Sequence, residues 1–390
     1  MYSRINSLKS ALALLLAITL TPSSQIYGQS SKTRLGELYG GIEIGSKEIK
    51  ATAILVSDNE NGYNVKLIYA EVINTTAPQL EDNRLSPETI QDMALAVHKL
   101  LTRMRQEYKV PLERIGVIGS SGLRADNPQD LIKAVKDQTG VTLSFLDAET
   151  EIQLSIAGAI PQRYRAKSGW ADNRSQSVLL DIGSDNTKGG YQVIRQTGAG
   201  APDYDYVTVG IPKGASAFTN EINQATGESD DLAAFTQRAN TLSSTSIRTA
   251  LRKEMERKPG LVNRQHVYLT GGIAWAMLTL LYPADRRALI PITAEDILFF
   301  HRKVTRNPES LQALLNPDLT KKISNPKLRA EAEKELESVR NAFSPKNLIA
   351  GAEILKTVTT EFNLLDKKVR FARYGHLAWI LSYVRSQAEQ

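Results

Sequence analysis

Ile42-Glu43-Ile44-Gly45-Ser46 and Leu180-Asp181-Ile182-Gly183-Ser184 carry one pattern twice: an apolar residue, a carboxylate, isoleucine, glycine and serine, with the two glycines 138 residues apart. That separation is about one domain length, so the pair reads as an internal duplication. A strand that ends in a carboxylate and turns on Gly-Ser exposes backbone N–H groups in a tight hairpin, a nest that can cradle a phosphate while the carboxylate holds a cation or a water beside it. Thr270-Gly271-Gly272 offers a third glycine turn of the same kind. Three ordinary hairpin turns without a ligand are the other reading of these residues.

Working outward from the first copy, apolar β-branched residues resume at Ala51–Val56, and Asn59-Glu60-Asn61-Gly62 signals a hairpin into a strand over Val65–Val72. Ser86-Pro87-Glu88 combines an N-cap, a first-turn proline and a first-turn acid, which predicts a helix running to about Tyr108. Ile115–Ile118 reads as a short buried strand, Asn127-Pro128 as a helix start ended by Gly140, and Val141–Phe145 as another strand. Polar residues without periodicity at 162–176 predict a linker. The second copy then opens its own strands at Ser177–Ser184, Gly189–Ile194, Val207–Ile211 and His266–Leu269, with helix expected over 216–257 and from Thr293 onward. The expected class is α/β, with one domain over 36–161 and a second over 177–390 that ends in helices.

Composition narrows the chemistry. The 390 residues contain no cysteine and four histidines, His98, His266, His301 and His376, none of them paired at the i, i+4 spacing of a helical zinc site. Thiolate metal sites, disulfides and cysteine nucleophiles are thereby excluded, and zincin and α/β-hydrolase motifs are missing. Arg4 and Lys9 precede the apolar run Ala11–Leu20, which is followed by Thr21-Pro22-Ser23-Ser24 and a small residue at Gly28. This is the layout of a secretory signal peptide over residues 1–28. The run is half of the roughly 20 residues needed to span a bilayer, so no stable membrane insertion is expected. Export across the inner membrane, with a periplasmic destination, is the expected localisation. Without that segment the formal charge falls from +6 to +4, and residues 301–390 hold 16 basic against 10 acidic residues. The excess points mildly to a polyanionic ligand; a solvated lysine-rich helical surface explains it equally well.

At this point the sequence resembles the exopolyphosphatase / guanosine pentaphosphate phosphohydrolase (Ppx/GppA) family of the actin-like ATPase superfamily, from about Gly40 to the C-terminus. Glu43-Ile44-Gly45-Ser46 stands where the family reads Asp-x-Gly-Ser, and Ser120-Ser121-Gly122-Leu123-Arg124-Ala125-Asp126 is similar to its Thr-Ser-Ala-Leu-Arg-Asp-Ala block. Ala148-Glu149-Thr150-Glu151-Ile152-Gln153-Leu154 resembles Gly-x-Glu-Glu-Ala-Arg-Leu, and Asp181–Lys188 resembles Asp-Ile-Gly-Gly-Gly-Ser-Thr-Glu. Gly271-Gly272-Ile273-Ala274, Asn347–Ala352 and Arg373–Leu377 complete the series.

The resemblance implies a duplicated actin-like (ribonuclease H-like) two-domain fold with a helical C-terminal part. It implies a phosphatase cutting phosphoanhydride bonds, with polyphosphate or a phosphorylated nucleotide as partner and nucleic acid not expected; a homodimer is admissible. Glu151 would be the catalytic carboxylate and Arg124 a phosphate clamp. Gly45, Ser46, Gly183, Ser184, Asn186, Gly271 and Gly272 would bind phosphate, and Glu43 and Asp181 would hold Mg²⁺ or Mn²⁺. Read without the resemblance, Glu151 is equally a helix-start acid, Arg124 a surface ion-pair partner and Asp181 a turn cap. The sequence also departs from the family. Glu43 replaces its aspartate, Ser184-Asp185-Asn186 replaces Gly-Gly-Ser, and Lys188 replaces a glutamate at the metal and water. The last is a change of two charge units at the place most sensitive to charge. Three function classes follow: an exported phosphoanhydride hydrolase, a non-hydrolytic binder in the same cleft, and a kinase of the superfamily, which export disfavours.

Overall fold

The computed structural model describes residues 36–45, 48–59, 62–74, 84–120, 123, 126–161, 163–166, 169–172, 174–195, 203–227, 231–306, 311, 318–375, 378–380 and 382–383. The leader at 1–28 therefore lies outside the described residues. Two sheets organise the chain. The first has the order β3-β2-β1-β4-β5, built from β1 (Glu37–Ile44), β2 (Glu48–Asn59), β3 (Gly62–Asn74), β4 (Ile115–Gly119) and β5 (Ser144–Phe145). The hairpin strands β1, β2 and β3 pair antiparallel, while β4 lies parallel to β1 and β5 parallel to β4.

The second sheet repeats this plan. With β6 (Arg163–Ala166) and β7 (Gly169–Asp172) forming a separate two-stranded ribbon, the strands β8 (Ser177–Ile182), β9 (Thr187–Arg195), β10 (Asp203–Ile211), β11 (His266–Thr270), β12 (Leu289–Ile292) and β13 (Lys368–Ala372) are ordered β10-β9-β8-β11-β13-β12. Its first five positions match the first sheet, and β12 adds an antiparallel edge beyond β13. The duplication expected from the two Gly-Ser stretches is therefore one of whole sheets. Two differences from the sequence reading have simple causes. The stretch expected to be a linker carries the β6–β7 hairpin, a structure that its polar residues without periodicity did not signal. The segment expected to be helical contains β13, five residues whose alternation of Lys368, Val369, Arg370 and Phe371 is too brief to stand out between helices.

Each sheet is covered by helices whose apolar faces follow the 3.6-residue period. Helix α1 (Pro87–Gln106), capped by the Ser86 hydroxyl accepting from the Thr89 N–H at 3.1 Å, buries Met93, Ala94, Val97, Leu100, Leu101 and Met104 in the first core. Helix α2 (Pro128–Thr139) ends at Gly140, whose φ of 74° is the left-handed value a C-cap glycine supplies.

The two repeats then exchange their closing elements. Helix α3 (Ala148–Ala159) follows β5 in the chain but packs on the second sheet, where Ile152, Ile156 and Ile160 join Leu179, Tyr268 and Ala372. The segment after β13 does the reverse: Trp379 and Ile380 pack with Tyr39, Ile54 and Ile118 of the first sheet, and Tyr383 donates to the Ser144 Oγ at 2.8 Å. Glycines make the crossings close. A β-carbon at Gly158 would lie 2.0 Å from the Ala378 carbonyl oxygen, and one at Gly41 2.2 Å from Ile380 Cγ2. Arg174, just ahead of β8, donates to the Ile160 and Ala157 carbonyls and so caps the C-terminus of α3.

Three helices complete the part of the second lobe that matters below: α4 (Ala215–Thr226), α5 (Gly272–Leu281) and α6 (Pro345–Glu361). Helix α6 is buried on nearly every side and runs through the second core. Among the described residues no helix is long and apolar enough to cross a membrane.

Because the helix crossing leaves no room for a side chain, Gly158→Ala is expected to cost about 1–3 kcal/mol of stability as overpacking. Gly210→Ala, whose methyl would meet nothing within 4 Å, is the control. Thermal unfolding of both variants checks this: a Gly158→Ala protein melting with the parent would show that the crossing is not tight.

Candidate functional site

The candidate site is made of the charged groups of the two hairpins, which act on one another across the repeats. Glu43 is the penultimate residue of β1 and stands directly opposite Lys50 on β2. Asp181, the penultimate residue of β8, stands directly opposite Lys188 on β9. In both copies the lysine follows the acid by seven residues, so each hairpin projects an acid and an ammonium from opposed positions on one face, within reach of each other. The loops after β1 and β8 are at the carboxyl ends of parallel strands, joined there by the ends of β4 at Gly119 and β11 at Thr270. Crevices at such strand ends are where open α/β sheets bind ligands.

The repeat swap brings in the fifth charged group. Asp147 caps α3 by accepting from the Thr150 N–H at 2.7 Å, and Glu151 falls in the first turn. Glu151 is 8% exposed, and its Oε1 accepts from the Lys188 ammonium, whose side chain is 17% exposed. Desolvation works against the charge of Lys188, but Asp181, Glu151 and Glu43 outweigh it and hold the ammonium above the ordinary lysine range. Asp181 is shifted the other way: desolvation pushes its carboxyl up and Glu151 adds to the rise, while Lys188 and Lys50 oppose it. Glu43 and Lys50 of one repeat thus act on Lys188 and Asp181 of the other, and the five groups share one electrostatic environment.

The glycine turns contribute in different ways. The Gly183 N–H closes the second hairpin by donating to the Asn186 carbonyl at 3.0 Å. The Gly183 and Ser184 carbonyls in turn accept from Ala215, Ser216 and Ala217, so this loop caps the N-terminus of α4, and the Ser184 and Ser216 hydroxyls pair at 2.8 Å. Ser184, Asp185 and Asn186 remain exposed. Gly271 turns into α5 with φ of 96°, and a β-carbon there would lie 2.5 Å from Asp181 Oδ1. The turn at Gly271-Gly272 therefore sets the N-terminus of α5 beside the Asp181 carboxylate, an arrangement its dipole favours. Gly45 directly follows β1, two residues after Glu43. Ser46, Arg124 and His376 lie outside the described residues. His266, buried on β11, is pushed down to about 4 by burial together with Arg370 and Lys368, and takes no part in the cleft.

Lys50 is the site residue that sequence reasoning passed over. Its signal was present as the repeated spacing from acid to lysine, which only the opposed strand register turns into a spatial pair. A divalent cation at this donor set would share it with two ammonium groups. Among the described residues no three acidic or imidazole side chains converge to ligate one ion. The Lys188 ammonium, ion-paired to Glu151 and opposed to Asp181, also brings positive charge to where an ion would sit.

No sequence-family profile matches the chain, and no curated protein matches it in sequence. The fold nevertheless has solved counterparts of the actin-like type. More particularly, it is the fold of the Ppx/GppA structures. An Aquifex aeolicus member of that family superposes with a TM-score of 0.61 at 14% identity, covering 91% of this chain and 99% of its own. An exopolyphosphatase-like protein gives 0.56 at 12% identity, over 91% and 100% of the two chains. An exopolyphosphatase from Cytophaga hutchinsonii gives 0.51 at 11%, over 89% and 98%. The fold expected from the resemblance is the one observed.

The shift at Asp181 has a pH signature. A folded-state carboxyl that holds its proton more tightly than the unfolded chain favours folding fully below the ordinary aspartate value, and that contribution is lost as pH rises through the folded-state value. Asp181→Asn removes the loss. Its melting temperature relative to the parent is expected to rise from about pH 4 to about pH 7. Calorimetry at the two pH values decides; a gap that is constant or narrows toward neutrality contradicts the burial of this charge.

Proposed function

We infer that this chain is an exported phosphoanhydride hydrolase that releases terminal phosphate from inorganic polyphosphate, or from a nucleotide carrying a comparable phosphate chain, in the cleft between its two repeats. One observation supports the reading: the helix that packs on the second sheet carries Glu151 to an ion pair with Lys188, the residue opposite Asp181. The N-terminal run Ala11–Leu20 behind Arg4 and Lys9 supports export, and export favours polyphosphate over a guanosine nucleotide.

In this mechanism Glu151 orients a water for in-line attack. The water oxygen forms the new bond to the terminal phosphorus, the bridging P–O bond breaks, and its electron pair stays on the shortened chain. A water proton passes to the Glu151 carboxylate. Charge spreads over the phosphoryl oxygens, so positioning and neutralisation supply most of the rate. Lys188 and Lys50 stand where they can neutralise those oxygens, and Arg124 of the Ser120–Asp126 block is a candidate clamp on the same grounds as in the sequence.

A second reading, binding without hydrolysis, is favoured by one specific feature: the Glu151 carboxylate is already engaged by Lys188. Phosphate release from long-chain polyphosphate by the purified protein separates the two. Glu151→Gln is expected to slow release by about 10²–10⁴-fold while polyphosphate binding persists. Equal release by parent and variant, with binding intact in both, removes the hydrolase reading and leaves the binder.

A further inference from the structure

Resting on that phosphoanhydride reading, we propose that the cleft is a metal-independent anion site in which Lys188 and Lys50, one from each repeat, supply the positive charge that holds the phosphoryl oxygens. Three observations converge on it. The strand register places a lysine directly opposite the cleft carboxylate in both hairpins, Lys50 against Glu43 and Lys188 against Asp181. A repeated cross-strand pair is a property of the duplicated unit and not of one aberrant position. Lys188 is also largely buried and ion-paired to Glu151. It is fixed on the cleft wall, whereas a solvated surface lysine would range freely. Finally, each carboxylate that would ligate a divalent ion here already faces an ammonium, Glu43 opposite Lys50 and Asp181 opposite Lys188, so an arriving cation meets two positive charges.

An ammonium suits the anion as well as it repels the cation. It donates up to three hydrogen bonds from one point charge and needs no particular plane of approach, which matches the tetrahedral, rotatable oxygens of a phosphoryl group. When a phosphoanhydride enters, its oxygens compete with Glu151 for the Lys188 Nζ. The ligand thereby loosens the carboxylate that the mechanism assigns to water, and in its absence Lys188 keeps that carboxylate occupied.

Isothermal titration with tripolyphosphate in EDTA, and again with excess Mg²⁺, tests the binding half, and titration with Mn²⁺ alone tests the exclusion half. The parent protein is expected to bind tripolyphosphate in EDTA with no more than a small gain from Mg²⁺, and to take up no Mn²⁺ in the micromolar range. Lys188→Met is expected to lose about tenfold to hundredfold of the EDTA-resistant affinity. Lys188→Arg keeps it, and a thermal melt of each variant confirms that it is folded. Lys188→Glu is expected to gain Mn²⁺ binding.

Tripolyphosphate binding by the parent only when Mg²⁺ is present overturns the inference and leaves the proposed function standing. No tripolyphosphate binding under either condition removes the phosphoanhydride reading instead. In that case the Mn²⁺ arm still decides metal exclusion: uptake by the parent overturns it, and uptake by Lys188→Glu alone upholds it.

Discussion

An ammonium–carboxylate pair, Lys188 with Glu151, joins the two repeats of this molecule. Glu151 belongs by sequence to the first repeat and Lys188 to the second, and the pair exists because α3 leaves its own sheet to pack on the other. Burying two charges is costly unless each finds the other, so the pair constrains its surroundings. The α3 helix must be held in depth by Ile152, Ile156 and Ile160, capped at one end by Asp147 and at the other by Arg174. Gly158 must stay small so that the returning C-terminal segment can cross it. Loss of any of these would leave a buried ion without its partner.

The exchange also explains why two hairpins that could each have been an ordinary turn are electrostatically coupled. Each sheet alone offers an acid, a lysine and a glycine turn. Because each closes with an element that belongs to the other, the charges of one repeat are felt in the other. Lys188 responds to Glu43, and Asp181 to Lys50. The turns themselves are structural to different degrees. The 183–186 loop uses its backbone to close a hairpin and cap α4, while Gly271 lets a helix start against Asp181.

Much of this was legible in the residues. The repeated carboxylate-Ile-Gly-Ser marked the duplication, Pro87 and Pro128 marked helix starts, and Glu151 and Asp181, candidates in the sequence, both act on Lys188 in the fold. Strand β13 was hidden because five alternating residues carry little periodicity between long helices, and the β6–β7 ribbon because polar, glycine-containing hairpins look like linkers. Lys50 was hidden for a different reason. A seven-residue spacing means nothing along a chain until two strands fold back and oppose its ends. The swap of α3 has no local signature at all, since its apolar face fits either sheet and only the tertiary arrangement selects one.

A double-mutant cycle on unfolding free energy measures directly whether Glu151 and Lys188 act as a unit across the repeats. With Glu151→Gln, Lys188→Met and the double variant, the predicted result is a coupling of about 1–3 kcal/mol, each single change being more damaging than its share of the double. Additivity of the two changes within about 0.5 kcal/mol would contradict the account, because it would mean that the two residues do not meet in the folded protein.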